Sequence, residues 1–339
     1  MGSTTAMTTA LEMLAAFVLI IVGAIGFTNA VEWLGKRMNL GAGAVGALLA
    51  AVGTALPESV IPIVALLGDG GQEATDIAIG AIIGAPFLLG TLAMLLVIGA
   101  AHLFAGRREQ GTDITGEPDS TRRDLHWYLA LMPVGIVLGV ISPPGAVRYA
   151  GAALLVLAYA GYVRATVRTG GDAGDEELAP LFFDTSKEDP PSTFQMTVQF
   201  VVSLGAIIGG AELFVGAVET IAESAGISPL VLALVLAPLA TEMPEKANSV
   251  LWVRKGKDAL ALGNITGAMT FQATIPVVLG LVFTDWVLQT QAVVAAVCGM
   301  LGGAIALWVI PREQKVGLVP VAVWGSLFVG FVAYAAATG

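Results

Sequence analysis

Long apolar runs dominate the chain. They lie at about 10–35, 40–68, 75–104, 125–143, 145–165, 193–222, 227–253, 257–284, 288–310 and 315–337. Each has room for the roughly 20 apolar residues that one helical crossing of a bilayer requires. The runs are too long for barrel strands and do not alternate in polarity. The pattern predicts an all-α polytopic membrane protein with ten transmembrane helices. The first run lacks a basic leader and exceeds the apolar core of a signal peptide, so it reads as a span. Two polar stretches read as loops, 105–124 and the acidic, Gly- and Pro-containing 168–193. The second divides the chain into two groups of five spans, 1–167 and 194–339. Its acids lack the spacing of a calcium loop, so it is expected to be a solvated cytoplasmic linker.

Composition narrows the class further. Of the 339 residues, 56% are apolar and 12% charged, against about 25% charged in soluble domains. Mean hydropathy is +0.83. A disordered chain, a disulfide scaffold and an ordinary cytosolic enzyme are excluded. The lone Cys298 lies in an apolar run and reads as a packing residue. The net charge of −10 comes largely from loops and does not point to a nucleic-acid partner. Of the 16 basic residues, 14 fall between spans or at span ends on one side; Arg148 is on the other side and Lys246 is inside a span. The positive-inside rule then places both termini outside the cytoplasm.

The two halves repeat a pattern. Span 2 contains GTALPES (53–59) and span 7 contains ATEMPEK (240–246), pairing Thr54 with Thr241, Pro57 with Pro244 and Glu58 with Glu245. Span 3 contains IAIGAIIGAPF (77–87) and span 8 LALGNITGAMT (260–270), pairing Gly80 with Gly263 and Gly84 with Gly267. Because each half has an odd number of spans, the second enters the membrane from the opposite face. The expected architecture is two inverted-topology five-helix repeats, with the substrate site near the midplane where the halves meet.

The motif residues suit a cation. Proline lacks an N–H, so Pro57 and Pro244 deprive the carbonyls of Gly53 and Ala240 of helical partners. In a bilayer such a carbonyl needs another partner. A cation can serve; so can a water or a nearby hydroxyl that repairs a simple kink. Glu58 and Glu245 are carboxylates inside apolar spans, where an ionisable group marks a functional site by default. With Thr54 and Thr241 they form an all-oxygen set suited to Ca2+ rather than to a soft metal. Two close carboxylates repel, so protons compete with metal for the same place. The alternative is a neutral Glu hydrogen-bonded for packing. The four glycines read as close helix packing.

With these motifs, and with the stretch 209–245 along its length, the chain resembles the Ca2+/cation antiporter superfamily, in particular the prokaryotic sodium/calcium exchanger branch. The resemblance implies a secondary active antiporter in a prokaryotic cell membrane. It would exchange Ca2+ or a related cation against Na+ by alternating access, with spans 1 and 6 sliding over a core. The family's motif serine is replaced by Ala55 in the first half and Glu242 in the second. Its Gly-Ser-Asn becomes Gly84-Ala85-Pro86 and Gly267-Ala268-Met269. The polar residue further along span 3 or 8 is Leu89 in one half and Gln272 in the other. Those family positions help form sodium sites, so Gln272 joins the candidate ligands while an H+-coupled exchanger without sodium sites stands as the alternative. Glu242 and Lys246 are additions at i and i+4, the favourable order for an ion pair. Either Glu242 is a third cation ligand, or Lys246 neutralises it and modulates the site. Glu32 and Glu219 match across the repeat and line an entrance or reach solvent; the role of Glu212 is open.

A channel is the competitor from another class, separable by its lack of an obligatory counter-ion. An enzyme is not expected, since no nucleophile set, metal-protease motif or phosphate loop occurs. No cofactor is expected; Ca2+, Na+ or H+ would be transported substrates. The expected partners are inorganic cations and the lipid bilayer; the sequence is compatible with a monomer and does not fix the oligomeric state.

Overall fold

Local signals set the helix ends. Ser192 caps one long helix: its hydroxyl accepts from the Gln195 backbone, and the Gln195 side chain reaches back to the Ser192 N–H, the reciprocal arrangement of a capping box. Gly226 closes the same helix at a φ of +67°, a left-handed geometry open to glycine without strain. Pro229 then opens the next helix at a position where its missing N–H costs nothing.

The computed structural model describes residues 3–37, 50–68, 71–115, 118–169, 179–182, 191–310 and 316–338. Its helices are α1 (Ser3–Arg37), α2 (Ala50–Leu67), α3 (Gly71–Leu88), α4 (Met94–Leu103), α5 (Pro118–Ile141), α6 (Gly145–Thr169) and α7 (Thr193–Ala225). They continue with α8 (Pro229–Arg254), α9 (Asp258–Gln272), α10 (Ile275–Phe283), α11 (Thr290–Val309) and α12 (Leu318–Thr338). Among the described residues there is no β-strand, and eight helical stretches are long and apolar enough to cross a membrane. The other two expected spans carry the acidic motifs, and their side chains at 50–57 and 243–245 lie outside the described residues.

Two rods change helical type at matching places. The third, α3 to α4, passes through a π-helical turn at Leu89–Ala93. The eighth, α9 to α10, breaks at Ala273 and Thr274. The Thr91 hydroxyl donates to the Phe87 carbonyl at 2.6 Å, and that of Thr274 to the Thr270 carbonyl at 2.9 Å. The offset between these pairs is the one that relates Gly80 to Gly263. Each hydroxyl bonds the carbonyl four residues back, as the Thr241 hydroxyl also does within the unbroken α8. By contrast, α8 runs on as helix through Pro244, and α2 through Pro57. The changes of helical type among the described residues lie one rod further along.

Helices α1 and α7 interlock. A Cβ placed on Gly23 of α1 would lie 2.8 Å from Ile207 Cγ1 and 2.9 Å from the Ser203 carbonyl of α7. One on Gly210 of α7 would lie 2.8 Å from Ile20 Cγ1 and 3.1 Å from the Ala16 carbonyl of α1. One apolar cluster joins α1, α2, α3, α7 and α8 around Phe27, Ile61, Ile77 and Phe214. A larger one joins the remaining helices with α3 and α8. Gly80 and Gly84 bring α3 onto α8, where a Cβ at Gly84 would stand 2.3 Å from the Leu234 carbonyl. Gly263 and Gly267 have no comparably close neighbour among the described residues.

The linker is not wholly solvated. Leu181 is buried against Trp33 and Met196. Asn29 and Trp33 both donate to the Ala179 carbonyl at 2.8 Å, and Phe182 N–H donates to Gln199 at 2.7 Å. The apolar Leu181, flanked by backbone groups that α1 and α7 can satisfy, explains the departure from the expected solvated linker.

Candidate cation site

Helices α2, α8 and α9 pack against one another and bring polar side chains into the interior. On α2, Glu58 is 6% exposed, followed by the buried Ser59. On α8, Thr241 is buried and Glu242 and Lys246 are each 1% exposed. On α9, Thr266, Thr270 and Gln272 have no exposed surface. The side chains of Thr54, Pro57 and Glu245 lie outside the described residues, as does that of Glu32. Among the described residues no three acidic, His or Cys side chains cluster as a metal site.

Each described candidate has its own environment. The Thr241 hydroxyl donates to the Ala237 carbonyl at 3.2 Å, leaving its oxygen able to accept or ligate. The Lys246 ammonium lies 2.9 Å from a Glu242 carboxylate oxygen. At that distance the contact is charge-assisted, and no other described residue bonds the Glu242 carboxylate. Gln272 closes α9 at the break, and neither its amide oxygen nor its nitrogen has a hydrogen-bond partner among the described residues. A buried unsatisfied amide costs about 1–3 kcal/mol. Carboxylate, hydroxyl and amide oxygens together fit a hard cation.

The outlying candidates separate from this group. Glu219 is partly exposed and Glu212 exposed. Asn264 donates to Ser249 at 3.2 Å, and Asn29 accepts from Gln199 at 2.8 Å. Both asparagines thus act between helices.

Two buried acids were missed by the sequence reading. Asp124 accepts from Thr266 at 2.9 Å and Tyr162 at 3.1 Å, and its backbone carbonyl accepts from Thr270 at 2.9 Å. It thereby fixes the face of α9 one turn before Gln272. The signal was present: Asp124 directly precedes an apolar run. Asp258 takes two parallel bonds from Arg108, both 2.8 Å. Those partners come from distant loops, and no sequence spacing announces them.

The model of the family described as sodium/calcium exchanger protein matches residues 9–167 and 196–337. A protein of Alkalimonas amylolytica, provisionally named antiporter CaxA, is 26% identical over 297 residues, 87% of each chain. Inner membrane protein YrbG of Escherichia coli K12 is 29% identical over 248 residues, 70% of this chain and 67% of that protein. Among solved structures, the H+/Ca2+ exchanger CAX matches with a TM-score of 0.72 at 17% identity, covering 98% of this chain and 82% of that one. The sodium-calcium exchanger NCX_Mj, soaked with 2.5 mM Na+ and 10 mM Sr2+, gives 0.61 at 20% identity over 96% and 98%. At such identities the structural matches speak to fold alone.

Proposed function

Because the chain belongs to the sodium/calcium exchanger protein family, we propose that it exchanges Ca2+, or a closely related divalent cation, against Na+ by alternating access. It is an integral membrane cation antiporter and not an enzyme. The finer reading is of ten crossings built as two inverted five-helix repeats, 1–167 and 194–339, with both termini outside the cytoplasm of a prokaryotic cell. The reciprocal contacts of Gly23 with Ile207 and Gly210 with Ile20 support that symmetry, because a two-fold axis makes each contact occur twice.

Burial of Glu58 in an apolar helix is the observation that carries the site. An anion at that depth is retained where it meets a cation or a proton. In this reading Glu58 and Glu245 are the charged ligands, Thr54 and Thr241 contribute hydroxyl or carbonyl oxygens, and Gln272 supplies an amide oxygen. Leu89, fully buried and apolar opposite Gln272 in the repeat, favours a second reading with H+ as counter-ion, since it removes one oxygen from the Na+ side. Purified protein in liposomes separates the two. Ca2+ flux driven by an imposed Na+ gradient is expected; flux driven only by a pH gradient would replace Na+ with H+, and flux without any counter-ion would make the protein a channel.

A further inference from the structure

We propose that Lys246 is a resident counter-cation that sets how many mobile monovalent ions the exchange requires. The inference rests on the antiport reading above and specifies its coupling. Lys246 and Glu242 form an ion pair at 2.9 Å, each 1% exposed, one turn apart on α8. Stability does not account for it, since apolar residues of similar volume commonly replace a buried pair at no loss. Position does. The pair brackets Glu245 within ATEMPEK, on a helix packed against both α2 and α9.

A carboxylate held in the membrane interior requires a positive partner. At Glu242 no other described residue supplies one, and the Lys246 ammonium meets it through the charge-assisted contact. A tethered ammonium and a bound Na+ carry the same charge, but the ammonium never leaves. Glu242 is therefore neutralised throughout the cycle without an ion crossing the membrane. The chain moves one Na+ fewer per Ca2+ than it would with a mobile cation at Glu242.

The test compares the parent protein, K246M and the double variant E242Q/K246M in liposomes. It reads Ca2+ flux against Na+ concentration and the charge moved per Ca2+ under a clamped membrane potential. In K246M, Glu242 recruits Na+ in place of the ammonium. Its flux gains one order in Na+, so a tenfold change in sub-saturating Na+ changes flux by roughly a further tenfold. The charge per Ca2+ shifts by one. The double variant, with both charges gone, returns to the parent's Na+ order and charge. K246M that transports with the parent's Na+ order overturns the inference. So does K246M inert at every Na+ concentration while the double variant works, which would make Lys246 only a structural partner, and so does an inert but folded double variant. A parent protein without gradient-driven Ca2+ flux overturns the antiport reading itself.

Discussion

Gly210 of α7 rests on Ile20 of α1 in the same way that Gly23 of α1 rests on Ile207 of α7, with would-be Cβ contacts of 2.8 Å to the isoleucine Cγ1 in both cases. The second contact at each site is a backbone carbonyl, which cannot swing aside as a side-chain tip can. Gly23→Ala and Gly210→Ala therefore each push α1 and α7 apart, at a cost of about 1–3 kcal/mol from overpacking. Thermal unfolding in detergent should show two Tm losses of similar size. A Gly210→Ala protein as stable as the parent beside a strongly destabilised Gly23→Ala protein would contradict the reciprocity.

Glu58→Gln keeps shape and hydrogen bonding while removing the charge, and Glu245→Gln does the same in the other half. Each should abolish Ca2+-dependent flux and leave the elution profile and Tm close to those of the parent. Calcium binding by isothermal titration should weaken by at least about 2 kcal/mol, as expected when a charged ligand is lost. A protein bearing both substitutions that still transports Ca2+ normally removes these acids from the site.

Leu89 shows where the sequence stopped being informative. From sequence, Leu89 is an apolar replacement at a polar family position, with no sign of what it packs against. The structure places it fully buried at the start of the π-helical turn. Leu89→Met preserves volume and should keep flux and Tm. Leu89→Ala leaves a cavity and should cost about 2–5 kcal/mol, seen as a lower Tm with an unchanged ion dependence in the protein that remains folded.

The long apolar rods were legible because one crossing leaves a repeated 20-residue signature. The close approach at Gly80 and Gly84 was legible from their spacing, whereas their counterparts Gly263 and Gly267 meet no such close neighbour among the described residues. Interruptions at Leu89–Ala93 and Ala273–Thr274 were not legible, since the hydroxyl-to-carbonyl bonds of Thr91 and Thr274 beside them also occur in unbroken helices, as at Thr241. At Pro244 the helix α8 runs on without a break, although proline supplies no N–H there. Asp124 escaped notice because its partners, Tyr162, Thr266 and Thr270, are distant in sequence. The docking of Leu181 escaped for the same reason, inside a linker whose average composition is polar.

Gly280 faces the ring of Trp286, where a Cβ would stand 2.1 Å from an aromatic carbon. Trp286 itself adopts a φ of +49°, uncommon for a bulky residue. Its indole N–H donates to the Gly135 carbonyl at 2.9 Å and its backbone N–H to the Thr284 hydroxyl at 2.8 Å. Gly280→Ala should expel the indole and break both bonds. Tryptophan fluorescence should shift to the red, and a protein with unshifted emission and the parent Tm would show that the turn repacks without loss.

The Arg108–Asp258 clamp ties the loop after α4 to the first turn of α9, and both side chains are fully buried. Asp258 also accepts from the Thr115 backbone at 2.8 Å, and Arg108 donates to the Gly111, Asp113 and Val253 carbonyls. Removing one charge strands the other: Asp258→Asn and Arg108→Met are each expected to cost about 3–5 kcal/mol. Removing both with apolar residues of similar size, as in R108M/D258L, should recover part of that loss, because no lone charge remains. The recovery is bounded by the carbonyls that Arg108 satisfied, each of which then needs water. Unfolding of the three variants and the parent in one detergent closes the thermodynamic cycle. A coupling energy near zero would show that the loop is held by its backbone contacts and not by the charge pair.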